Sequence, residues 1–187
     1  RSNYNFLLNN LRDIERTGDI RSYKKDLVDL YVNRDQHSFS TQVTDLDNIQ
    51  NPSIHSLLSS KYHEAQMHRL NIHAEIPDPV IHNYLTDLDL AVVLGHLMDN
   101  AIDGARKASE GFISLAYFDE EDCQSFIIES TIADEQVPLS MMSTQLSHPE
   151  GGIGVNAVQD ILERYPNTSF SVRSQNHKMM QILEMRP

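Results

Sequence analysis

Apolar positions in the first third of the chain recur at helical spacing. Tyr4, Leu8, Leu11 and Ile14 fall on one face, and Ile20, Tyr23, Leu27, Leu30 and Tyr31 resume the pattern after Gly18-Asp19. The spacing predicts an amphipathic helix with a bend or a break at Gly18-Asp19, where the aspartate can cap a new start. Residues 33 to 51 are polar and weakly patterned. A second helix then begins at Asn51-Pro52, a capping residue followed by a proline suited to the first turn. Ile54, Leu57, Leu58, Lys61 and Ala65 share one of its faces. Two long amphipathic helices in succession predict a hairpin. One hairpin covers its apolar stripe poorly, so pairing with a second copy into a four-helix bundle is expected.

The pattern changes after Met67-Leu70. Leu70, Ile72, Ala74 and Ile76 alternate with polar residues and predict a strand closed by Pro77-Asp78-Pro79. Residues 87 to 108 predict a helix, with Leu90, Val93, Leu94, Leu97 and Ala101 on one side. Strands are predicted over 112–118 and 123–131, joined by an acidic turn. Residues 132 to 151 lack periodicity, and so long a loop inside a compact domain points to function or mobility. A helix over 153–165 and a strand pair over 168–173 and 178–185, turning at Ser174-Gln175-Asn176, complete the order. The fold class expected is α+β: a helical module over 1–68, then an α/β sandwich over 69–187.

Composition narrows the partners. Fifteen basic residues stand against 27 acidic ones, a net charge of −12. Nucleic acid and anionic lipid both favour a basic footprint, so neither is expected as the main partner. The lone cysteine, Cys123, excludes an intrachain disulfide and fits a reducing compartment. No apolar run reaches the ~18 residues of a membrane span, so membrane attachment is expected only through a segment upstream of Arg1. The nine histidines are scattered, and no zinc site is expected.

Two stretches carry candidate chemistry. On the helix over 87–108, His96, Asn100 and Asp103 share a face beside the apolar stripe. An amide oxygen and a carboxylate are hard ligands suited to Mg²⁺ on a polyphosphate, although on periodicity alone the same face reads more readily as a solvated surface. The second stretch is Glu150-Gly151-Gly152-Ile153-Gly154-Val155, leading into a helix. Glycines at a helix start let backbone N–H groups approach an anion, and the helix dipole favours negative charge there. Glycines also simply turn and cap.

In this order the two stretches resemble a known family. Residues 94–105, LGHLMDNAIDGA, resemble the N box of the GHKL ATPase fold shared by gyrase, the heat-shock chaperone, histidine kinases and the mismatch-repair ATPase. The likeness is nearest to the peptide-pheromone (quorum-sensing) sensor histidine kinases of Gram-positive bacteria, the accessory-gene-regulator type. Gly151 to Asn156 resembles their second glycine-rich box, and Leu57-Leu58-Ser59-Ser60-Lys61 with Ala65 the segment before their ATPase domain. Phe126-Ile127-Ile128-Glu129-Ser130 stands where that subfamily has Glu-Asn after an apolar strand.

The resemblance implies the cytoplasmic portion of a membrane-bound two-component sensor kinase. It would be a homodimer through its N-terminal helices, bind ATP with Mg²⁺, and pass phosphate to a histidine and then to a response regulator. Asn100 matches the asparagine that ligates Mg²⁺, and Asp103 matches an acidic position of the subfamily. Gly151, Gly152 and Gly154 fall at the phosphates, and residues 132–150 match the ATP lid. His96 stands where the wider family has Asn, either as a base or hydrogen-bonding partner of metal-bound water or as a polar substitute without a chemical role. The acidic adenine-gripping motif of most relatives is not visible, and Glu129 is the candidate in its place. Aligning Arg1, Tyr4 and Leu8 with the family's phosphoacceptor pattern puts Ser2 where histidine is expected. Serine cannot form a phosphoramidate, so the alternative is a non-catalytic dimer scaffold, a pseudokinase.

Overall fold

A computed structural model describes residues 45–120, 122–135 and 154–187, with the backbone alone at 45 and 154–157. The predicted first helix, Ser2 and the lid beyond Glu135 lie outside the described residues. Residues 42–187 form one compact unit. After a 3-10 turn at Asp45–Asn48 come α1 (Pro52–Met67), β1 (Asn71–Glu75), α2 (Asp87–Lys107), β2 (Phe112–Glu120) and β3 (Cys123–Thr131). α3 (Gly154–Leu162), β4 (Thr168–Gln175) and β5 (Lys178–Met185) follow. Among the described residues no helix is long and apolar enough to cross a membrane.

The five strands form one mixed sheet in the order β1-β2-β3-β5-β4. β1 and β2 run parallel, with α2 as their crossover, and the remaining pairs are antiparallel. Strand alternation sends Ile72 and Ala74 of β1, Ile113, Leu115 and Tyr117 of β2, Phe126 and Ile128 of β3, and Leu183 and Met185 of β5 to one face. There they join buried residues of all three helices in a single apolar cluster.

Local chemistry sets the ends of each element. Asn51 caps α1 by accepting from the Ser53 and Ile54 amides at 2.9 and 3.2 Å, and Pro52 supplies the first turn. The helix closes with the Arg69 amide on the Gln66 carbonyl (2.8 Å) and the Leu70 amide on the Ala65 carbonyl (3.0 Å). Arg69 takes a left-handed φ of 60° to do so, the Schellman arrangement usually reserved for glycine. Leu70 then lies directly over Gly111, whose amide oxygen receives the Asn71 N–H at 2.9 Å. Thr86 caps α2, with Asp87 and Asp89 in the first turn and Arg106 and Lys107 in the last, each matching the helix dipole. The β4–β5 turn falls at Asn176-His177, both with positive φ, one residue later than the sequence suggests. Two positive φ values are what a two-residue hairpin turn needs to match strand twist.

The second predicted helix forms, but its stripe is covered differently from the expectation. Ile54, Leu58, Tyr62 and Ala65 are buried in the same cluster as α2 and the sheet, rather than presented to a helical bundle. The expected joint near residues 67–70 is the tight Schellman turn between α1 and β1. Periodicity reports that a stripe must be covered, and not by what.

Candidate functional site

α2 presents three environments around its circumference. Its apolar stripe, Leu90 to Ala105, faces the core. One flank meets α1: Lys61 Nζ lies 2.5 Å from Asp99 Oδ1 and 2.8 Å from Glu64 Oε2. Burial pulls the Lys61 pKa down, but the hydrogen bonds and charges of Asp99 and Glu64 outweigh it and hold it above its ordinary value. Asp99 is thereby committed to joining helices. The other flank carries His96, Asn100 and Asp103, all half-buried.

That flank meets the sheet through polar groups. Gln181 of β5 pairs with Ile128, a residue of the helix-side core, so it shares that face, and it is only 1% exposed. Its Nε2 donates to the carbonyl of Leu97 at 3.1 Å, and its Oε1 accepts from Asn100 Nδ2 at 3.5 Å. One turn further, Gly104 sits close over the end of β3. A Cβ there would lie 3.1 Å from Ile132 Cγ2, 3.4 Å from the Thr131 carbonyl and 3.8 Å from Ser130 Oγ. The Ser130 hydroxyl is fully buried and has no hydrogen-bond partner among the described residues. A buried polar atom left unpaired costs ~1–3 kcal/mol, so an orphan beside a polar helix flank marks a place for a polar ligand atom.

α3 lies alongside α2, with Val158 and Ile161 in the shared core. A clasp fixes the pair: Asp89 Oδ1 accepts from Arg164 Nη2 at 2.8 Å, and Oδ2 from Tyr165 Oη at 2.6 Å. Tyr165 Oη in turn accepts from the Thr86 amide at 3.2 Å, within the α2 cap. The Tyr165 hydrogen bond, with those of Thr86 and Arg164, lowers the Asp89 pKa against its desolvation. α3 opens at Gly154, so the predicted glycine turn leads into the helix clasped to α2. Gly151 and Gly152 lie outside the described residues. The described start of the loop, Ile132 to Glu135, is tied to the β4–β5 turn by Ile132 N to His177 O (2.8 Å) and His177 N to Glu135 O (3.0 Å).

The structure therefore brings Asn100, Asp103 and His96 to one flank, with the start of α3 on the neighbouring helix. Glu129 is placed elsewhere. It alternates with Ile128 and Ser130, so it faces away from α2, where its carboxylate accepts from Lys178 Nζ at 2.9 Å. Its neighbour Ser130 occupies the α2 side. Sequence reading passed over Gln181 and Gly104. A glutamine in the apolar run Met179-Met180-Gln181-Ile182-Leu183 and a glycine inside a strong helix were the available signals.

Among the described residues no three His, Cys, Asp or Glu side chains gather to hold a metal ion. The donor set offered is one amide oxygen with a carboxylate a turn away. That suits Mg²⁺, which keeps several waters and takes one or two protein ligands together with substrate phosphates.

Comparison with known proteins bears on the family and the fold. Residues 85–186 match the family model described as the GHKL domain. The catalytic domain of the histidine kinase ThkA superposes with a TM-score of 0.59 at 13% identity, over 72% of this chain and 91% of that one. The mycobacterial sensor histidine kinase MprB gives 0.53 at 12% identity, over 70% and 92%. The Acinetobacter baumannii histidine kinase AdeS gives 0.54 at 17% identity, over 98% and 83%. No curated protein matches the chain.

Proposed function

The chain belongs to the GHKL domain family, and from that membership we propose that it binds Mg-ATP and acts as the kinase portion of a two-component sensor. The fold is that of a histidine kinase catalytic, ATP-binding domain. The observation that carries the finer reading is the α2 flank: Asn100 held from below by a buried glutamine, beside an orphan hydroxyl and a helix glycine. Asn100 would hold the metal, with Asp103 beside it, and the Gly151–Gly154 turn would receive phosphate at the start of α3. The magnesium supplies charge neutralisation across the phosphates. The protein's own task would be orientation: the shared core and the Asp89 clasp fix α2 and α3 relative to each other, and with them the residues that would hold the nucleotide.

In this reading the γ-phosphate passes to a histidine and then to a response regulator. Dimerisation would fall to the helical module expected over residues 1–68, and an upstream membrane segment would carry the sensor. The accessory-gene-regulator type is proposed on the N box, with its acidic Asp103, and on the Leu57–Lys61 segment. Titration with a fluorescent ATP analogue tests the site. Mg²⁺-dependent binding is expected for the wild type and its loss for Asn100→Ala; unchanged binding in the variant rejects the assignment. Incubation with γ-labelled ATP then tests the chemistry. Base-stable, acid-labile label on the protein marks a phosphohistidine, whereas binding without label identifies the pseudokinase that Ser2 suggests.

A further inference from the structure

An asparagine amide has two ends of nearly equal shape and opposite chemistry, and only its oxygen can ligate a cation. Something must choose the end that faces outward. The choice begins at the Leu97 carbonyl, which can only accept. Gln181 must therefore turn its NH₂ toward Leu97, as the 3.1 Å bond records. That leaves Gln181 Oε1 facing Asn100, where it meets Nδ2 at 3.5 Å. The donor end of Asn100 is taken on the sheet side, and its oxygen is left directed away from β5. Gln181 is 1% exposed, so water does not compete for its bond to the Leu97 carbonyl.

We propose that Gln181 is a positioning residue for the metal: polarised by the Leu97 carbonyl, its buried amide holds Asn100 with the oxygen outward. The inference rests on the Mg-nucleotide reading of Asn100 and adds a residue on a different element, 81 positions along the chain. A glutamine present only to fill the core would affect stability and all ligand states alike. A residue that selects the outward atom affects the metal-dependent part alone.

Gln181→Met keeps the side-chain length and removes both hydrogen bonds. The Mg²⁺ concentration for half-maximal binding of an ATP analogue should rise roughly fivefold, the effect of one neutral hydrogen bond, while nucleotide binding without Mg²⁺ stays unchanged. Equal losses with and without Mg²⁺ overturn the proposal. Gln181→Glu supplies a second variant. As a neutral acid it can donate to Leu97 and accept from Asn100, and as a carboxylate it still accepts from Asn100, so its Mg²⁺ requirement should stay at or below that of the wild type. A Mg²⁺ requirement raised as far as in Gln181→Met counts against the inference. The Asn100 side-chain amide resonances of the ligand-free chain give a readout independent of nucleotide: they should shift in Gln181→Met and hold in the neutral Glu variant. If the wild type shows no Mg²⁺-dependent binding, the nucleotide reading fails on its own, and the amide resonances still report whether Gln181 orients Asn100.

Discussion

Replacing Asp89 by Asn tests the clasp that holds α2 to α3. The side chain is 12% exposed and accepts from Tyr165 Oη at 2.6 Å and Arg164 Nη2 at 2.8 Å. Hydrogen bonds to a charged acceptor contribute about 1.5–3 kcal/mol when buried. The Arg164 side chain is 59% exposed, so its share is screened and falls to roughly 0–1 kcal/mol. Asparagine keeps the shape, but one of its two terminal atoms is a donor. Tyr165 Oη already accepts from the Thr86 amide and needs an acceptor for its proton. The expected loss is therefore about 2 kcal/mol, a melting point lower by ~4–8 °C for a unit of this size. Circular dichroism melts of the full chain at pH 7, with Tyr165→Phe and the double variant, give the coupling. The pH dependence follows from the lowered pKa. A carboxyl depressed in the folded state adds stability above its unfolded pKa, 3.8, and loses it as pH falls through the folded value. Asp87, lowered by Asn51 and Asn83, contributes in the same direction. The difference between wild type and Asp89→Asn isolates Asp89 and should shrink in acid. A loss below about 0.5 kcal/mol, strict additivity with Tyr165→Phe, or a difference that grows in acid would refute the reasoning.

Two further outcomes follow from the fold. Gly111→Ala places a Cβ 2.4 Å from Leu70 Cδ2 and 3.0 Å from the Ala105 carbonyl. Leu70 can swing away but the α2 backbone cannot, so a destabilisation of ~1–3 kcal/mol is expected as a lower urea midpoint at constant slope. Asn51→Ala removes the acceptor for two amides at the start of α1 and should cost about 1 kcal/mol, against only a few tenths for Asn51→Gly; chemical denaturation of both variants separates a lost cap from a general surface effect.

The chain's own pattern determined the elements. The start of α1 came from Asn51-Pro52, where a side-chain oxygen meets free amides a few residues away. The β1 strand came from the alternation of Leu70, Ile72, Ala74 and Ile76, and the N-box flank from the 3.6-residue period that lines up His96, Asn100 and Asp103. These relations are local, and a short window of sequence contains them. The tertiary structure decided what covers each face. It put the α1 stripe into the α2 and sheet core, because a stripe satisfied by one apolar neighbour looks the same in sequence as one satisfied by another. It turned Glu129 to Lys178 and Ser130 to Gly104, because which face of β3 meets the helices depends on its register with β2 and β5. It brought Gln181 beneath Asn100 across 81 residues of chain, a pairing that hydrophobic periodicity cannot encode, since it arises only when β5 is threaded between β3 and β4.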